Sequence, residues 1–281
     1  MAISIDEDAS DGVRTTVNYT TPVNGTTDMY YYASDMDKNL HKPGDMPVEI
    51  TVSNAWPHAK EFTIDKNGFS IHDFHTNHED WDVDDSIKKH VYPEMVDFLK
   101  KTLGAERVVV FEHTIRSEKN NKQTLTEDKN TSQRSPVMLV HCDYTAESVP
   151  EKVKQLLPDE ADTLLSRRHC FLNVWKPIRR IVEDRPLALC DATTTLPSDV
   201  FKLHVVYSDR QGEIYVMRYR DEHKWWYFPK MTPEHVLFLK MYDSEDDGRA
   251  PFVGHSAFVD PGMRKDAPLR ESIEFRVMCF Y

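Results

Sequence analysis

A histidine and an aspartate two residues apart, His141 and Asp143, are the pair in this sequence whose types and spacing best suit metal chemistry. In an extended strand, residues i and i+2 point to the same face, so one imidazole nitrogen and one carboxylate oxygen would project together. These groups make up two thirds of a facial triad of two histidines and one carboxylate, which holds iron(II) and leaves coordination positions open. The pair therefore predicts a metal site that needs one further histidine.

A second pair with the same spacing, His78 and Asp80, has a different context. The first pair follows the apolar run Val137–Val140, which we predict to be a strand, whereas the second lies in the polar segment His72–Asp85. A rigid element holds ligands better than a loop does. We therefore favour the first pair as the metal site. The second is interpreted as a solvated loop, with a lid over the site as the alternative.

The third ligand has four candidates later in the chain: His204, His223, His235 and His255. His204 lies in an apolar run with no basic residue placed after it, and His223 and His235 are adjacent to turns. His255 heads the penultimate predicted strand, and Arg270 follows it at the start of the last one. This order favours His255 as the third ligand.

Arg270 and Ser272 share one strand face by the same period of two. A guanidinium fork together with a hydroxyl suits the carboxylate at the far end of a small diacid. Taken alone, Arg270 would instead be expected to pair with Glu271 or Asp266 on the surface. In combination with the histidine and aspartate pair and a later histidine, the pattern favours a diacid site.

The elements that must position these residues are mainly strands. Helical apolar spacing predicts two helices, Ser86–Leu103 and Glu151–Ser166, and the polar segment Ser117–Arg134 is predicted to be a long exposed loop. Short strand-like runs separated by turn residues are Val108–Phe111, Cys170–Trp175, Leu187–Cys190, Phe201–Tyr207, Glu213–Arg220, Lys224–Phe228, Leu237–Met241, Val253–Phe258 and Ser272–Phe280. Regular short strands without strand–helix alternation predict a barrel or sandwich.

Composition excludes several classes of protein. The chain has 281 residues and a formal net charge of −12, which argues against a nucleic-acid binder. No apolar run approaches the roughly 18 residues of a membrane-spanning helix, so we expect a cytoplasmic protein without a membrane partner. The four cysteines are far apart in apolar runs, as expected of buried residues. The length fits one large domain or two small ones.

Many ordered segments of the chain, from about Gly68 to Tyr281, resemble one family: the iron(II)- and 2-oxoglutarate-dependent oxygenases typified by bacterial cephalosporin 7α-methoxylase component, fungal gibberellin GA4 desaturase and fungal meroterpenoid oxygenases. The matching segments are Tyr92–Glu94, Gly104–Arg107, His141–Asp143, Asn173–Pro177, Pro186–Asp191, Trp226–Pro229, Lys240–Ser244, His255–Phe258 and Arg270–Arg276. Lys176 departs from the pattern, because the family more often has arginine there.

The resemblance implies a fold that is mainly β with flanking helices and a double-stranded β-helix (jelly-roll, cupin-like) core. It implies one oxygenase domain over 1–281, with an N-terminal arm (1–60), a helix and loop region (61–136) and the jelly-roll core (137–281). His141, Asp143 and His255 would bind iron, and Arg270 with Ser272 would bind 2-oxoglutarate. Arg276, on the same strand face, is the competing carboxylate anchor.

The resemblance also implies a function: an Fe(II)- and 2-oxoglutarate-dependent dioxygenase that uses O2 to oxidise an unactivated C–H bond of a natural-product intermediate, expected to belong to fungal specialised metabolism. Asn173 and Trp175 are candidates to contact the substrate, although barrel packing is the alternative for the tryptophan. A homodimer is the working hypothesis for assembly. The alternatives are a catalytically silent subunit or small-molecule binder of this fold, and a cupin-like metalloenzyme that needs no 2-oxoacid.

Overall fold

The computed structural model of the chain describes residues 12–23, 28–117 and 133–281. The strands in this part are β1 Gly12–Tyr19, β2 Asp28–Tyr32, β3 Met46–Asn54, β4 Phe69–Asp73, β5 Arg107–Ser117, β6 Gln133–Arg134, β7 His141–Cys142, β8 His169–Pro177, β9 Leu187–Cys190, β10 Val200–Val206, β11 Gln211–Met217, β12 Trp225–Tyr227, β13 His235–Asp243, β14 Gly254–Ala257 and β15 Glu271–Phe280. The α-helices are α1 Asp84–Leu103, α2 Ser148–Leu156 and α3 Ala161–Leu165. The prediction of a mainly β chain with flanking helices is confirmed.

The strands form two sheets. The nine-stranded sheet has the order β1-β3-β12-β9-β14-β7-β11-β10-β2, and the six-stranded sheet has the order β4-β13-β8-β15-β5-β6. Strands β7 and β14 are neighbours near the middle of the first sheet, and β8 and β15 are neighbours in the middle of the second. The segments that carry the predicted site residues are therefore central rather than edge strands.

Alternation along β8 decides which of its side chains reach the space between the sheets. Leu172 and Val174 pack in the cluster that contains α1, on the outer face of the six-stranded sheet. Phe171 and Trp175 point the other way and share a core with Leu189 of β9, in the nine-stranded sheet. Because side chains alternate with a period of two, the odd-numbered residues of this part of β8 face the inter-sheet space, which we call the inner face.

Helix α1 covers the outer face of the six-stranded sheet with one apolar stripe. Its fully buried residues recur every four positions: Ile87, Val91, Met95 and Leu99. The helix ends at Leu103, as predicted, because Gly104 takes the left-handed conformation at φ 70° and its N–H bonds to the carbonyl of Lys100.

The second predicted helix, Glu151–Ser166, is wrong as a single element. The structure has α2 and α3 instead, and the break falls at Leu157, which has φ −133° and ψ 53°. The next residue is Pro158, whose ring disfavours helical backbone at the residue before it.

The predicted strand Val137–Val140 is also wrong. This segment makes only an isolated bridge between Leu139 and Asn18, and the paired strand is β7, which begins at His141. The apolar residues lead into the sheet, but the ladder starts where β7 meets β11 and β14.

Strands of the first sixty residues lie at both edges of the nine-stranded sheet. Strands β1 and β3 pair along their full length at one edge, and β2 runs parallel to β10 at the other. In the predicted loop Ser117–Arg134, residues 118–132 lie outside the described residues. Its last two residues form β6, which pairs with β5.

Candidate metal centre

Two adjacent strands bring the predicted histidines together. His141 on β7 and His255 on β14 are directly opposite each other in the antiparallel pairing, and their ring centroids are 4.4 Å apart. Asp143 follows β7 immediately. Residues that are 114 positions apart in sequence thus become neighbours through one strand pair.

The three side chains converge on one point. The Nε2 atom of His141 is 3.5 Å from Oδ1 of Asp143, and the Nε2 atom of His255 is 3.8 Å from Oδ2. The ligand atoms of all three residues lie within 4.8 Å of one another. Among the residues that the structure describes, this is the one group of three or more potential ligands so close together.

Backbone carbonyls orient both rings. Nδ1 of His141 lies 2.7 Å from the carbonyl oxygen of Leu139, and Nδ1 of His255 lies 3.2 Å from that of Val253. A carbonyl can only accept, so each Nδ1 donates, which leaves each Nε2 with a free lone pair aimed at the aspartate. Two imidazole nitrogens and one carboxylate oxygen on one side of a centre form the donor set of a non-haem iron(II) site. The residues present therefore fit such an ion.

Electrostatics keep these groups in the protonation states that bind metals. Burial, with a contribution from His141, lowers the pKa of His255 to about 4. Burial alone would raise the pKa of Asp143, but the neighbouring His141 and the charge of Arg276 hold that pKa well below its usual range. At neutral pH the centre therefore offers a neutral imidazole at His255 and a carboxylate at Asp143.

Asn173 lies on the inner face of β8, against the aspartate. Its Nδ2 donates a hydrogen bond to Oδ2 of Asp143. Its Oδ1 is buried and has no hydrogen-bond partner among the described residues. The side chain thus fixes the carboxylate with one end and offers an acceptor with the other.

Arg270 is a buried cation that forms no ion pair with any carboxylate of the described residues. It is 2% exposed, its guanidinium lies 5.7 Å from the centre of the Trp175 ring, and its Nη1 donates to the carbonyl of Arg185. Its Nε and the hydroxyl of Ser272 are buried and have no hydrogen-bond partner within the described ranges. Burial lowers the pKa of Arg270 to about 9, and the charge of Arg116 adds to this effect. The predicted surface pair with Glu271 or Asp266 is absent from the ion pairs of the described residues.

Arg276 is in the opposite situation. Its guanidinium lies 3.1 Å from Glu112, 3.6 Å from Glu274 and 4.0 Å from Asp143. Burial would lower its pKa, but Tyr144 and these carboxylates raise it well above the usual value. The two arginines that compete as carboxylate anchors therefore differ: within the described ranges Arg270 has no ion-pair partner, and Arg276 has three.

The remaining candidate histidines lie elsewhere. His204 contacts Asp28 and Glu213, His223 bonds to Tyr19, and His235 bonds to Thr232. His78 packs edge-to-face against Trp81. None of them belongs to the metal-ligand group found in the described part of the chain.

Sequence reasoning missed four charged residues near this centre: Glu112, Arg116, Arg134 and Glu274. A signal for one of them was present, because Glu274 lies between the apolar residues Ile273 and Phe275 and continues the polar positions Ser272 and Arg276 with a period of two. Charges at alternate positions of a buried strand indicate a polar inner face.

Comparisons with known proteins agree with this centre. A family model described as an oxidoreductase/YMDC permease-like domain matches residues 17–280. The hydroxylase/desaturase efuI of Hormonema carpetanum is 31% identical over 249 residues, covering 83% of each chain. The Fe(II)/2-oxoglutarate-dependent dioxygenase nvfI of Aspergillus novofumigatus is 29% identical over 92% of this chain and 93% of its own. The chain belongs to the family of iron(II)- and 2-oxoglutarate-dependent oxygenases.

Solved structures confirm the fold of this oxygenase. The iron and alpha-ketoglutarate-dependent endoperoxidase NvfI superposes with a TM-score of 0.86 at 25% identity, over 97% of this chain and 99% of the other. The predicted jelly-roll core is thereby confirmed, as are Fe(II), 2-oxoglutarate and O2 as the cofactor and cosubstrates of the family. None of the described helices is both long and apolar enough to cross a bilayer.

Proposed function

We propose that this oxygenase oxidises an unactivated C–H bond of a small natural-product intermediate in fungal specialised metabolism. Relatives named hydroxylase/desaturase and endoperoxidase support an outcome of hydroxylation, desaturation, rearrangement or endoperoxide formation. The observation that carries the proposal is the convergence of two imidazole nitrogens and one carboxylate at the inner face, within 4.8 Å of one another.

His141, Asp143 and His255 hold iron(II) in this proposal. The bound metal supplies the redox chemistry that couples decarboxylation of 2-oxoglutarate by O2 to oxidation of the substrate. The protein supplies position, because the carbonyls of Leu139 and Val253 fix the orientation of the imidazole rings. A set of three protein ligands leaves coordination positions open for small molecules.

Arg270 and Ser272 bind the distal carboxylate of 2-oxoglutarate. The support is the pair of unsatisfied donors, Arg270 Nε and the Ser272 hydroxyl, beside a buried guanidinium without a carboxylate partner among the described residues. A buried cation is costly until an anion joins it, and a diacid brings that anion. Arg276 does not need this ligand, because Glu112 and Glu274 already neutralise it.

Asn173 and Trp175 complete the inner wall. Asn173 donates to Oδ2 of Asp143, and its own buried carbonyl is placed to accept a hydrogen bond from an O–H or N–H group of the substrate. Trp175 stacks near the Arg270 guanidinium and shields this ion pair from water.

Alanine substitutions at His141, Asp143 and His255 test the proposal. Each variant is expected to lose bound iron and to lose the conversion of 2-oxoglutarate to succinate. The exposed His58, paired with Glu61 on the surface, provides a matched control whose alanine variant should retain both. Wild-type iron content and turnover in all three variants would contradict the assignment of these residues. Absence of bound iron and of turnover in the unaltered protein would favour a silent binder of the same fold.

Three further parts of the proposal come from the sequence: one oxygenase domain over 1–281, a cytoplasmic location and a homodimer. Cofractionation of the native protein tests the location, and light scattering of the purified chain tests the oligomeric state. Proteolysis that releases a stable fragment would contradict the single domain.

A further inference from the structure

Charged side chains continue along the inner face beyond the 2-oxoglutarate anchor. On β15, Glu274 and Arg276 follow Ser272 with a period of two. Directly opposite residues of antiparallel strands share a face, and the pairing places Glu112 opposite Arg276 and Arg116 opposite Ser272. The parallel pair of β5 and β6 places Arg134 beside Arg116. We call Arg116, Arg134 and Arg276 the arginine cluster.

The arginine cluster has more positive than negative charge. Arg116 and Arg276 share the carboxylate of Glu274, at 3.5 and 3.6 Å, and Arg276 also contacts Glu112. Among the described residues, three guanidinium groups therefore face two glutamates. Asp143 is 4.0 Å from Arg276, but its charge is taken up by the metal. One positive charge is left over.

This crowding of like charges is unfavourable unless an anion joins it. Burial, Arg116 and Arg276 together lower the pKa of Arg134, which is the electrostatic mark of repulsion between neighbouring cations. The Nε atom of Arg276 is buried without a hydrogen-bond partner in the described part of the chain. A buried donor of this kind is stabilised when a ligand supplies an acceptor.

2-Oxoglutarate does not provide the missing anion. In the proposed function its distal carboxylate neutralises Arg270 and its other carboxylate reaches the metal, so both of its charges are used. Within the arginine cluster, Arg276 lies at the metal end, because it contacts Asp143 and its guanidinium is 6.0 Å from the Tyr144 ring. Arg116 lies opposite Ser272, beside the anchor. Tyr144 packs against Phe111 and Phe171, which gives the charged group an apolar neighbour.

We propose that the substrate of this oxygenase is a carboxylic acid whose carboxylate binds the arginine cluster while its carbon skeleton lies against the aromatic group of Phe111, Tyr144 and Phe171. The inference rests on the proposed function and adds the chemical class of the substrate. A carboxylate held there fixes the skeleton beside the metal ligands and so selects which C–H bond is presented.

Benzoate and benzamide, which have the same shape but differ in charge, test this site. Each is titrated by calorimetry, without oxygen, into protein loaded with iron(II) and saturated with 2-oxoglutarate. Benzoate is expected to bind at least about tenfold more tightly than benzamide, because its hydrogen bonds are charge-assisted. R134Q should weaken benzoate about tenfold and leave benzamide unchanged, whereas R134K should retain most of the preference. R167Q, which removes an exposed arginine paired with Glu106, is the control that should match the wild type.

Equal binding of the two probes, no detectable benzoate binding, or an unchanged preference in R134Q would each overturn the proposal. Iron content and 2-oxoglutarate affinity are measured on the same samples. Loss of either in the wild type would contradict the proposed function itself, whereas intact iron and 2-oxoglutarate binding without a benzoate preference would reject only the acidic substrate.

Discussion

The difference between Arg270 and Arg276 shows how partners decide the role of a side chain. Arg276 lies on β15 and Arg270 immediately precedes that strand, and the spacing alone left either as the carboxylate anchor. The structure gives Arg276 the carboxylates of Glu112 and Glu274, whereas Arg270 has the carbonyl of Arg185. Arg276 already has anionic partners, so Arg270 is the better candidate to bind the distal carboxylate of 2-oxoglutarate.

We expect Arg270→Gln to raise the 2-oxoglutarate concentration needed for half-maximal succinate formation by about tenfold to a hundredfold. The reason is the loss of a charge-assisted contact worth about 1.5–3 kcal/mol. Iron content should stay at the wild-type value. Arg276→Gln is the matched comparison: it should mainly lower the melting temperature, because it leaves Glu112 and Glu274 without their shared cation. An unchanged 2-oxoglutarate requirement in Arg270→Gln would indicate that Arg276 is the anchor instead.

Lys176 provides a test that depends on pH. It is 1% exposed, its Nζ donates to the carbonyl of Pro177, and burial lowers its pKa to about 8. Between about pH 8 and the ordinary lysine value near 10.4, the unfolded chain binds more protons than the folded chain, so the free energy of unfolding rises with pH. Below that window Lys176 is protonated in both the folded and the unfolded chain, and burial of its charge lowers the free energy of unfolding by the full amount.

We therefore expect Lys176→Met to stabilise the protein at pH 7 by about 1–3 kcal/mol and to lose most of this gain by pH 10. Urea unfolding at the two pH values measures the difference. The exposed Lys38, whose partner is Asp35, is the control, because its methionine variant should show no such gain. A gain that is equal at both pH values would mean that packing rather than charge is responsible.

At the scale of elements, one tight contact supports the strand that carries His255. Gly68 has φ 80°, and a Cβ built there would lie 2.9 Å from the Cβ of Val253 and 3.0 Å from the carbonyl oxygen of Phe252. The carbonyl of Val253 is the acceptor that orients His255. The turn before β4 therefore fixes the backbone just ahead of β14.

Gly68→Ala is expected to cost about 2–4 kcal/mol of unfolding free energy, from the left-handed backbone and from the displaced neighbours. It should also weaken iron binding, because Val253 must move. Gly104→Ala is the control: its φ is also positive, at 70°, but nothing lies within 4 Å of the added atom. That variant should cost about 1 kcal/mol and leave iron binding intact. Equal costs in the two variants would contradict the contact argument.

Side chains alternate between the two faces of a strand, and this alternation explains which parts of the site could be predicted from the sequence. It placed His141 with Asp143 and Arg270 with Ser272, because those relations are local to one strand. The link from Asp143 to Asn173, and from Arg276 to Glu112, depends on how distant strands pair, which a single sequence does not encode locally. Pro158 is a signal for a helix break, but the apolar periodicity on both sides of it favoured a single helix over Glu151–Ser166.

At the scale of the whole molecule, the two sheets contribute different residues to the proposed site. The proposed metal ligands come from the nine-stranded sheet and the residue after β7, and the proposed 2-oxoglutarate anchor comes from the start of β15 in the six-stranded sheet. The sites are thus assembled only when both sheets pack against each other, so ligands that bind the folded state should stabilise the entire fold.

We expect iron(II) and 2-oxoglutarate together to raise the melting temperature more than either does alone. Saturation at a hundred times the dissociation constant adds about 2.7 kcal/mol per ligand by mass action. Scanning calorimetry of the wild type and of Asp143→Ala measures this, and the variant should lose the increment from the metal. An equal increase in both proteins would place the stabilising metal elsewhere.

The carbonyls that orient His141 and His255 belong to residues two positions earlier in the same chain segments. Each histidine is therefore oriented by its own chain segment. Neither ring depends on the arginine cluster or on Phe111, which lie on β5, β6 and β15. Substitutions at these positions should then leave iron binding intact. For protein engineering, this makes Phe111, Arg116 and Arg134 the first positions to randomise when the enzyme is to be redirected to a new compound.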